Sequence, residues 1–278
     1  MDVDTVNADA FNTYEAAGWE ERAAAYVGQL AAVTRPAIEP TLDAAWVGAG
    51  TRVLDVASGA GHGTAACAAR GADVLGLDIS ASMVAIARQN YPKLTFTRGD
   101  VQQLPIGDAT MDAVVGNFVI LHVGRPERAA AEFARVLVPA GRLALTVWNV
   151  PVRARLIGVL MDAIEEAGAV PPPELPPGPP FFRFADEAEF SGLLTGAGFV
   201  EVGVQTVDYV HRMGNATQLW DALLAGSVRL SPLVLGQTET VQAKIRAAFD
   251  RLTAEYATPE GGFAFPISVK LASGSRAG

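Results

Sequence analysis

Val53-Leu54-Asp55-Val56-Ala57-Ser58-Gly59-Ala60-Gly61 is the stretch on which the fold turns. Its first half lies in a short apolar run, Arg52–Ala57, with the length and branched side chains of a buried strand. Asp55 sits near the end of that run. Gly59-Ala60-Gly61-His62-Gly63 follows as a turn that lets backbone approach a ligand closely. An Ala-rich helix is expected from about Thr64 to Arg70. Working outward, Asp73–Asp78 reads as a second strand, ending in a second acid 23 positions after Asp55. Ser80 is placed to cap a helix through Met83, Val84, Ile86 and Ala87 to about Asn90. Leu94–Thr97, Asp112–Gly116 and Arg142–Trp148 read as the third to fifth strands. Between the last two, Pro126 opens a helix that stops at Pro139-Ala140-Gly141. Strands alternating with helices give an α/β, doubly wound, mostly parallel sheet covered on both faces.

The flanks are less regular. Residues 1–49 read as an N-terminal helical segment, with an amphipathic helix over Glu20–Val33 and a shorter one over Ala37–Val47, interrupted by Pro36 and Pro40. Residues 50–149 hold the strand–helix core, and residues 150–185 an insert after the fifth strand. The run Pro171–Pro180 excludes helix and central strand, because each proline removes a backbone donor. It reads either as a surface linker or as the rim of a pocket. Residues 186–278 continue with helices over Asp186–Leu194, Leu219–Leu224 and Thr238–Tyr256 and strands over Phe199–Val210 and Phe263–Leu271, which brings the sheet to seven strands in one domain.

Composition narrows the function. The 278 residues are 50% hydrophobic and 18% charged, as in globular proteins. The net charge is −9, and Lys93, Lys244 and Lys270 are the only lysines. Such a chain is poorly built to neutralise phosphates, which argues against nucleic acid and against an anionic membrane as partners. One cysteine, Cys67, excludes an internal disulfide and a cysteine-built metal site. The start Met1-Asp2-Val3-Asp4 lacks the basic, apolar pattern of a signal peptide, and no uncharged apolar run approaches the ~18 residues of a membrane span. A cytoplasmic location is expected.

The glycine turn narrows the ligand. A helix start beyond glycines offers free N–H groups to an anion, and an acid on the neighbouring strand end can hold ribose hydroxyls. An adenosine-type ligand fits. The dinucleotide fingerprint needs a glycine where Thr64 stands, and a phosphate-binding loop needs a lysine that is absent nearby.

Asp55 with Gly59 and Gly61 resembles the S-adenosylmethionine-binding motif of class I methyltransferases. The likeness continues through Leu75–Ser80, Gly99-Asp100-Val101 with Leu104-Pro105, Asp112–Val115 and Arg135–Leu143, and is greatest to the ubiquinone/menaquinone-type small-molecule enzymes. The resemblance implies a Rossmann-like fold, an N-terminal lid over the cofactor, and S-adenosyl-L-methionine as the methyl donor. It implies that Gly59, Gly61 and the Ala57 backbone pass the methionine part, and that Asp55 orients the loop or the amino group. Asp78, at the crevice mouth, would take the ribose hydroxyls. Ile79 and Met83 would flank the adenine, although a core methionine would occupy position 83 equally well. Asp100 and Val101 would meet the adenine edge, and Asn117 the methionine end.

The sulfonium carries its own leaving group, so a base is needed only for a hydroxyl acceptor. His122, in Phe118-Val119-Ile120-Leu121-His122, is the candidate catalytic residue, with a structural histidine as the alternative. His62 and His211 are weaker candidates for the base. Tyr14 and Trp19 are pocket or helix-packing residues of the lid, and Phe181, Phe182 and Trp220 are further pocket candidates. Gly116-Asn117-Phe118-Val119 stands where amino-methyltransferases of nucleic acid and glutamine carry Asn/Asp-Pro-Pro-Tyr/Phe. No catechol-type magnesium cluster is evident, so no metal is expected. What remains is a small, apolar or aromatic acceptor, of the kind met in secondary metabolism, handled by a monomer or homodimer. An enzyme using the same fold for cyclisation or rearrangement is the alternative.

Overall fold

Residues 7–278 are described by the computed structural model of the chain, so the Met1–Asp4 opening lies outside the described residues. The strands are β1 (Arg52–Val56), β2 (Asp73–Asp78), β3 (Thr95–Arg98), β4 (Met111–Asn117), β5 (Leu137–Trp148), β6 (Phe199–Met213) and β7 (Phe263–Arg276). They form one sheet in the order β3-β2-β1-β4-β5-β7-β6. The first five pair in parallel, and β7 runs antiparallel to both β5 and β6. The chain leaves β1 toward β2 and β3, then returns on the other side of β1 as β4. That reversal opens a crevice at the carboxyl ends of the strands, where ligands bind in open α/β sheets.

The helices are α1 (Ala8–Gln29), α2 (Ala31–Thr34), α3 (Ile38–Ala44), α4 (His62–Ala69), α5 (Ala81–Asn90), α6 (Pro126–Val136), α7 (Arg155–Glu166), α8 (Glu187–Gly196), α9 (Ala216–Gly226), α10 (Ser231–Leu235) and α11 (Glu239–Thr253). Local chemistry sets several of their ends. The Met83 amide donates to the Ser80 hydroxyl at 3.1 Å, capping α5. Asp186 caps α8 by accepting from Ala188 and Glu189. Pro126 opens α6, where its missing N–H costs nothing.

Four stretches depart from the sequence reading. α1 begins at Ala8, capped by Asn7, instead of at Glu20. Its buried face includes the carboxyl of Glu15, which an apolar period does not register. Pro36 opens a short 3-10 turn, and Pro40 falls in the first turn of α3, so neither breaks the chain's helical course. β7 runs five residues beyond Leu271, because Ala272–Arg276 pair with β5 on one side and β6 on the other. The Pro139-Ala140-Gly141 turn lies inside the span of β5 and is carried by Ala140, whose φ is +62°.

The proline run has neither helix nor strand. It packs inward, with Gly178 so close to the Phe11 ring that a Cβ there would stand 2.1 Å from it. The insert therefore meets the N-terminal helix above the carboxyl ends of the strands.

Candidate active site

A cleft opens at the carboxyl ends of the strands, and α1 roofs it. Asn12, Glu15, Ala16 and Trp19 line it at helical spacing, and Tyr26 and Leu30 continue the same face. The floor is the β1–α4 loop, the end of β2 and the segments after β3 and β4. About 1610 Å³ of the cleft, counting its open mouth, is free of protein atoms.

At the floor, Ala57 and Gly59 turn with φ of +54° and +51°. A Cβ on Gly59 would meet no protein atom within 4 Å, so the loop leaves open space above its backbone. The Gly59 amide donates to Asp78 Oδ2 at 2.8 Å, and the Ser80 amide to Oδ1 at 2.9 Å. Asp78 is 6% exposed, not at the mouth of the crevice as the sequence suggested. Burial pushes its carboxyl above the usual range against these amide bonds. Asp55 lies deeper, accepting from the Thr64 hydroxyl at 2.6 Å. Burial foremost, with a contribution from the nearby Asp78 charge, pushes its pKa up to about 7.

Ala57, Ile79, Met83, Asp100, Val101 and Asn117 also line the cleft. Asp100 Oδ1 accepts from the Gln102 amide at 2.8 Å. Gln102 in turn accepts from Asn12 of α1 at 3.1 Å, which ties this floor segment to the roof. Asn117 donates to the Thr34 carbonyl and accepts from the Thr146 hydroxyl. Gly61 is the exception among the expected loop residues. It starts α4 at φ +88°, turned away from the cleft, where a Cβ would press on Phe96 and Tyr91.

The other end of the cleft holds His122, on the 3-10 turn Ile120–His122 that follows β4. Its Nδ1 is 2.9 Å from Glu15 Oε2, which also accepts from the Trp19 indole N–H at 3.1 Å. The Trp19 and His122 rings meet edge to face, with centroids 4.9 Å apart. Phe118, Trp148, Leu156, Ile157, Phe181 and Leu223 complete an apolar wall. Glu15 was missed in the sequence. The available signal was its separation from Trp19, four residues and hence one helical face.

Three expected pocket residues lie outside the lining. Tyr14 faces away from the cleft and donates to the Val228 carbonyl at 2.8 Å. Phe182 packs behind Phe181, and Trp220 packs on Phe249 beneath Arg246. His62 lines the cleft with Nδ1 2.9 Å from the Tyr91 hydroxyl, and its pKa is lowered by burial and then by Arg35. Arg35 lines the cleft too, a cation that sequence reading passed over. His211, on β6, is not part of the lining. Among the described residues, no three His, Cys, Asp or Glu side chains are grouped as metal ligands.

The floor fits S-adenosylmethionine on its own geometry. Gly59 leaves the cradle open, the buried Ser58 hydroxyl has no hydrogen-bond partner, and Asp78 and Asp100 offer acceptors at two separate points. The fold is that of the class I S-adenosylmethionine-dependent methyltransferases, and residues 54–145 match the family model described as a methyltransferase domain. More particularly, 110 residues are 37% identical to the demethylmenaquinone methyltransferase of Renibacterium salmoninarum, covering 40% of this chain and 46% of that protein. The chain thus spans about half the length of the curated relatives it matches. Among solved structures, the YcgJ protein of Bacillus subtilis superposes with a TM-score of 0.57 at 17% identity, covering 87% of this chain and 99% of that one. The [4+2]-cyclase SpnF superposes with a TM-score of 0.51 at 20% identity, covering 88% and 82%. No helix among the described residues is long and apolar enough to cross a membrane.

Proposed function

We propose that the protein transfers a methyl group from S-adenosylmethionine to a small, largely apolar acceptor. The observation that carries this reading is that the open glycine cradle with its two acids and the Glu15-held His122 line one continuous cleft. When bound, S-adenosylmethionine supplies an electrophilic methyl group whose sulfur leaves as a neutral thioether. The Ala57–Gly59 backbone and Arg35 receive the methionine part, Asp78 the ribose, and Asp100 and Val101 the adenine. Phe118, Trp148, Phe181 and Leu223 seat the acceptor and keep water out of the line of transfer. Glu15 occupies Nδ1 of His122 and so leaves Nε2 to accept a proton. With a hydroxyl acceptor, Nε2 takes the O–H proton as the oxygen bonds to the methyl carbon.

The relatives named demethylmenaquinone methyltransferase match over the core alone, so this acceptor class is read from the cleft of this chain. A fold shared with a cyclase does not by itself specify a reaction. The oriented imidazole beside an apolar wall favours transfer over cyclisation.

Incubation with methyl-labelled S-adenosylmethionine and a panel of hydroxylated aromatic metabolites tests the proposal. Label is expected in an acceptor, with His122→Ala lowering kcat ~10²–10⁴-fold and leaving S-adenosylhomocysteine affinity nearly unchanged. Conversion of a panel member without consumption of S-adenosylmethionine would favour cyclisation or rearrangement instead.

A further inference from the structure

Arg229 lies in the turn between α9 and α10, behind the wall of the cleft. Its side chain is 16% exposed, and its guanidinium meets three segments around the acceptor-binding end. It donates to the carbonyl of Leu121, next to His122, at 3.0 Å and to that of Pro179, in the insert, at 2.8 Å. It lies over the rings of Phe11, on α1, and Phe181. Its Nε stands 3.8 Å from Glu15 Oε1, an ion pair without a hydrogen bond. Among the described residues, Arg229 and His122 are the side chains able to carry positive charge within 4 Å of Glu15.

A hydrogen bond between Glu15 and His122 can run in either direction. With Glu15 ionised, Nδ1 carries the ring proton and donates, and Nε2 keeps a lone pair. With Glu15 neutral, its O–H donates to Nδ1, and the ring proton sits on Nε2. That nitrogen could then donate but not accept. Burial favours the neutral carboxyl, and Glu15 is 3% exposed. A neighbouring cation favours the carboxylate, and so does the Trp19 N–H donated to Oε2. A guanidinium keeps its charge at any working pH. Coulomb attraction needs no hydrogen-bond geometry, so a separation of 3.8 Å suffices. The two carbonyls and two rings that hold the guanidinium keep its charge beside Oε1.

Resting on the methyl-transfer reading above, in which His122 is the base, we infer that Arg229 is a positioning residue that sets the direction of the Glu15–His122 hydrogen bond. Its charge holds Glu15 as the carboxylate. The carboxylate holds the ring proton on Nδ1, and Nε2 is left free to take a proton from the acceptor. Arg229 acts through Glu15, from outside the lining of the cleft.

Nitrogen-15 spectra of the histidine rings in the full chain test this at about pH 8, above the ordinary imidazole range. His122→Gln assigns the His122 signals apart from those of His62 and His211. In the wild-type protein Nδ1 is expected to carry a proton and Nε2 none. In Arg229→Gln, Nε2 is expected to carry one, whether Glu15 becomes neutral or the imidazole stays doubly protonated beside an unopposed carboxylate. Arg229→Lys restores a cation without the paired carbonyl bonds and is expected to show the wild-type pattern. A wild-type proton on Nε2 overturns the inference whether or not either variant folds. So does a folded Arg229→Gln protein with Nε2 free, or a folded Arg229→Lys protein with Nε2 protonated. The spectra need no ligand, so they stand apart from titration with S-adenosylhomocysteine. Failure to bind that compound removes the methyl-transfer reading. Failure of the spectra in protein that binds it removes only the role of Arg229.

Discussion

The Gly59 amide donates to the Asp78 carboxylate across 2.8 Å, so the glycine loop after β1 and the end of β2 form one unit. Asp78 therefore braces the loop as well as lining the cleft. Asp78→Ala is expected to weaken S-adenosylhomocysteine binding by about 1.5–3 kcal/mol, the range of hydrogen bonds to a charged group. Its loss also strands the half-buried Gly59 amide and the buried Ser80 amide, so stability is expected to fall by about 1–3 kcal/mol. Urea unfolding beside calorimetry separates the two effects. The sequence alone, placing Asp78 at the crevice mouth, implied only the first.

Gly59 has a left-handed φ and open space where a Cβ would go. Gly59→Ala is expected to cost about 1–2 kcal/mol of stability through the backbone alone. Its methyl group would also stand in the cradle, so S-adenosylhomocysteine affinity should fall further than stability does. Equal cofactor affinity in the variant and wild type would show that no ligand crosses that point.

Two carboxyls give stability opposite slopes with pH. Asp55 is raised from 3.8 to about 7, so between those values the native state holds a proton that the unfolded chain has lost. Stability from this group is full below pH ~4 and is lost as pH rises through about 7. Glu20 is lowered from 4.5 to about 2, chiefly by the Ser82 hydroxyl with help from Ser80. Its contribution is full above pH ~4.5 and is lost as pH falls through about 2. Asp55→Asn should remove the decline between pH 4 and 7 from a urea-unfolding series. A wild-type profile that rises across that window would contradict the placement of Asp55.

Glu20 also latches the roof to the floor. It accepts from the Ser80 hydroxyl at 2.8 Å and the Ser82 hydroxyl at 2.6 Å, tying α1 to the start of α5 just beyond Asp78. Glu20→Ala is expected to raise amide hydrogen exchange along α1 and to speed release of S-adenosylhomocysteine, while β1 and β4 keep their protection. Unchanged exchange in α1 would remove Glu20 from this role.

The core was legible because each element announces itself locally. The Asp55-to-Gly59 turn, the Ser80 cap and the Pro126 helix start stand within a residue or two of their expected places. The roof was less legible. Glu15 is a charged residue on a helix, and only the fold brings β4 and His122 beneath it. Trp19 on the same face was within reach of sequence reading, whereas Tyr14, one residue earlier than Glu15, points about a quarter turn away and serves Val228. Phe182 and Trp220 are aromatic in the right segments but face neighbouring rings, a distinction made by tertiary packing. Ala272–Arg276 carry too little branched or aromatic character to read as strand, and are held as one by partners on both sides.

Titration of the purified chain with S-adenosylhomocysteine in a calorimeter is the most direct test of whether this cleft serves a methyltransferase. One molecule per chain is expected to bind with a micromolar Kd, about −8 kcal/mol, and S-adenosylmethionine is expected to compete for the same site. Folded protein that gives no heat and no competition with either compound would contradict the assignment.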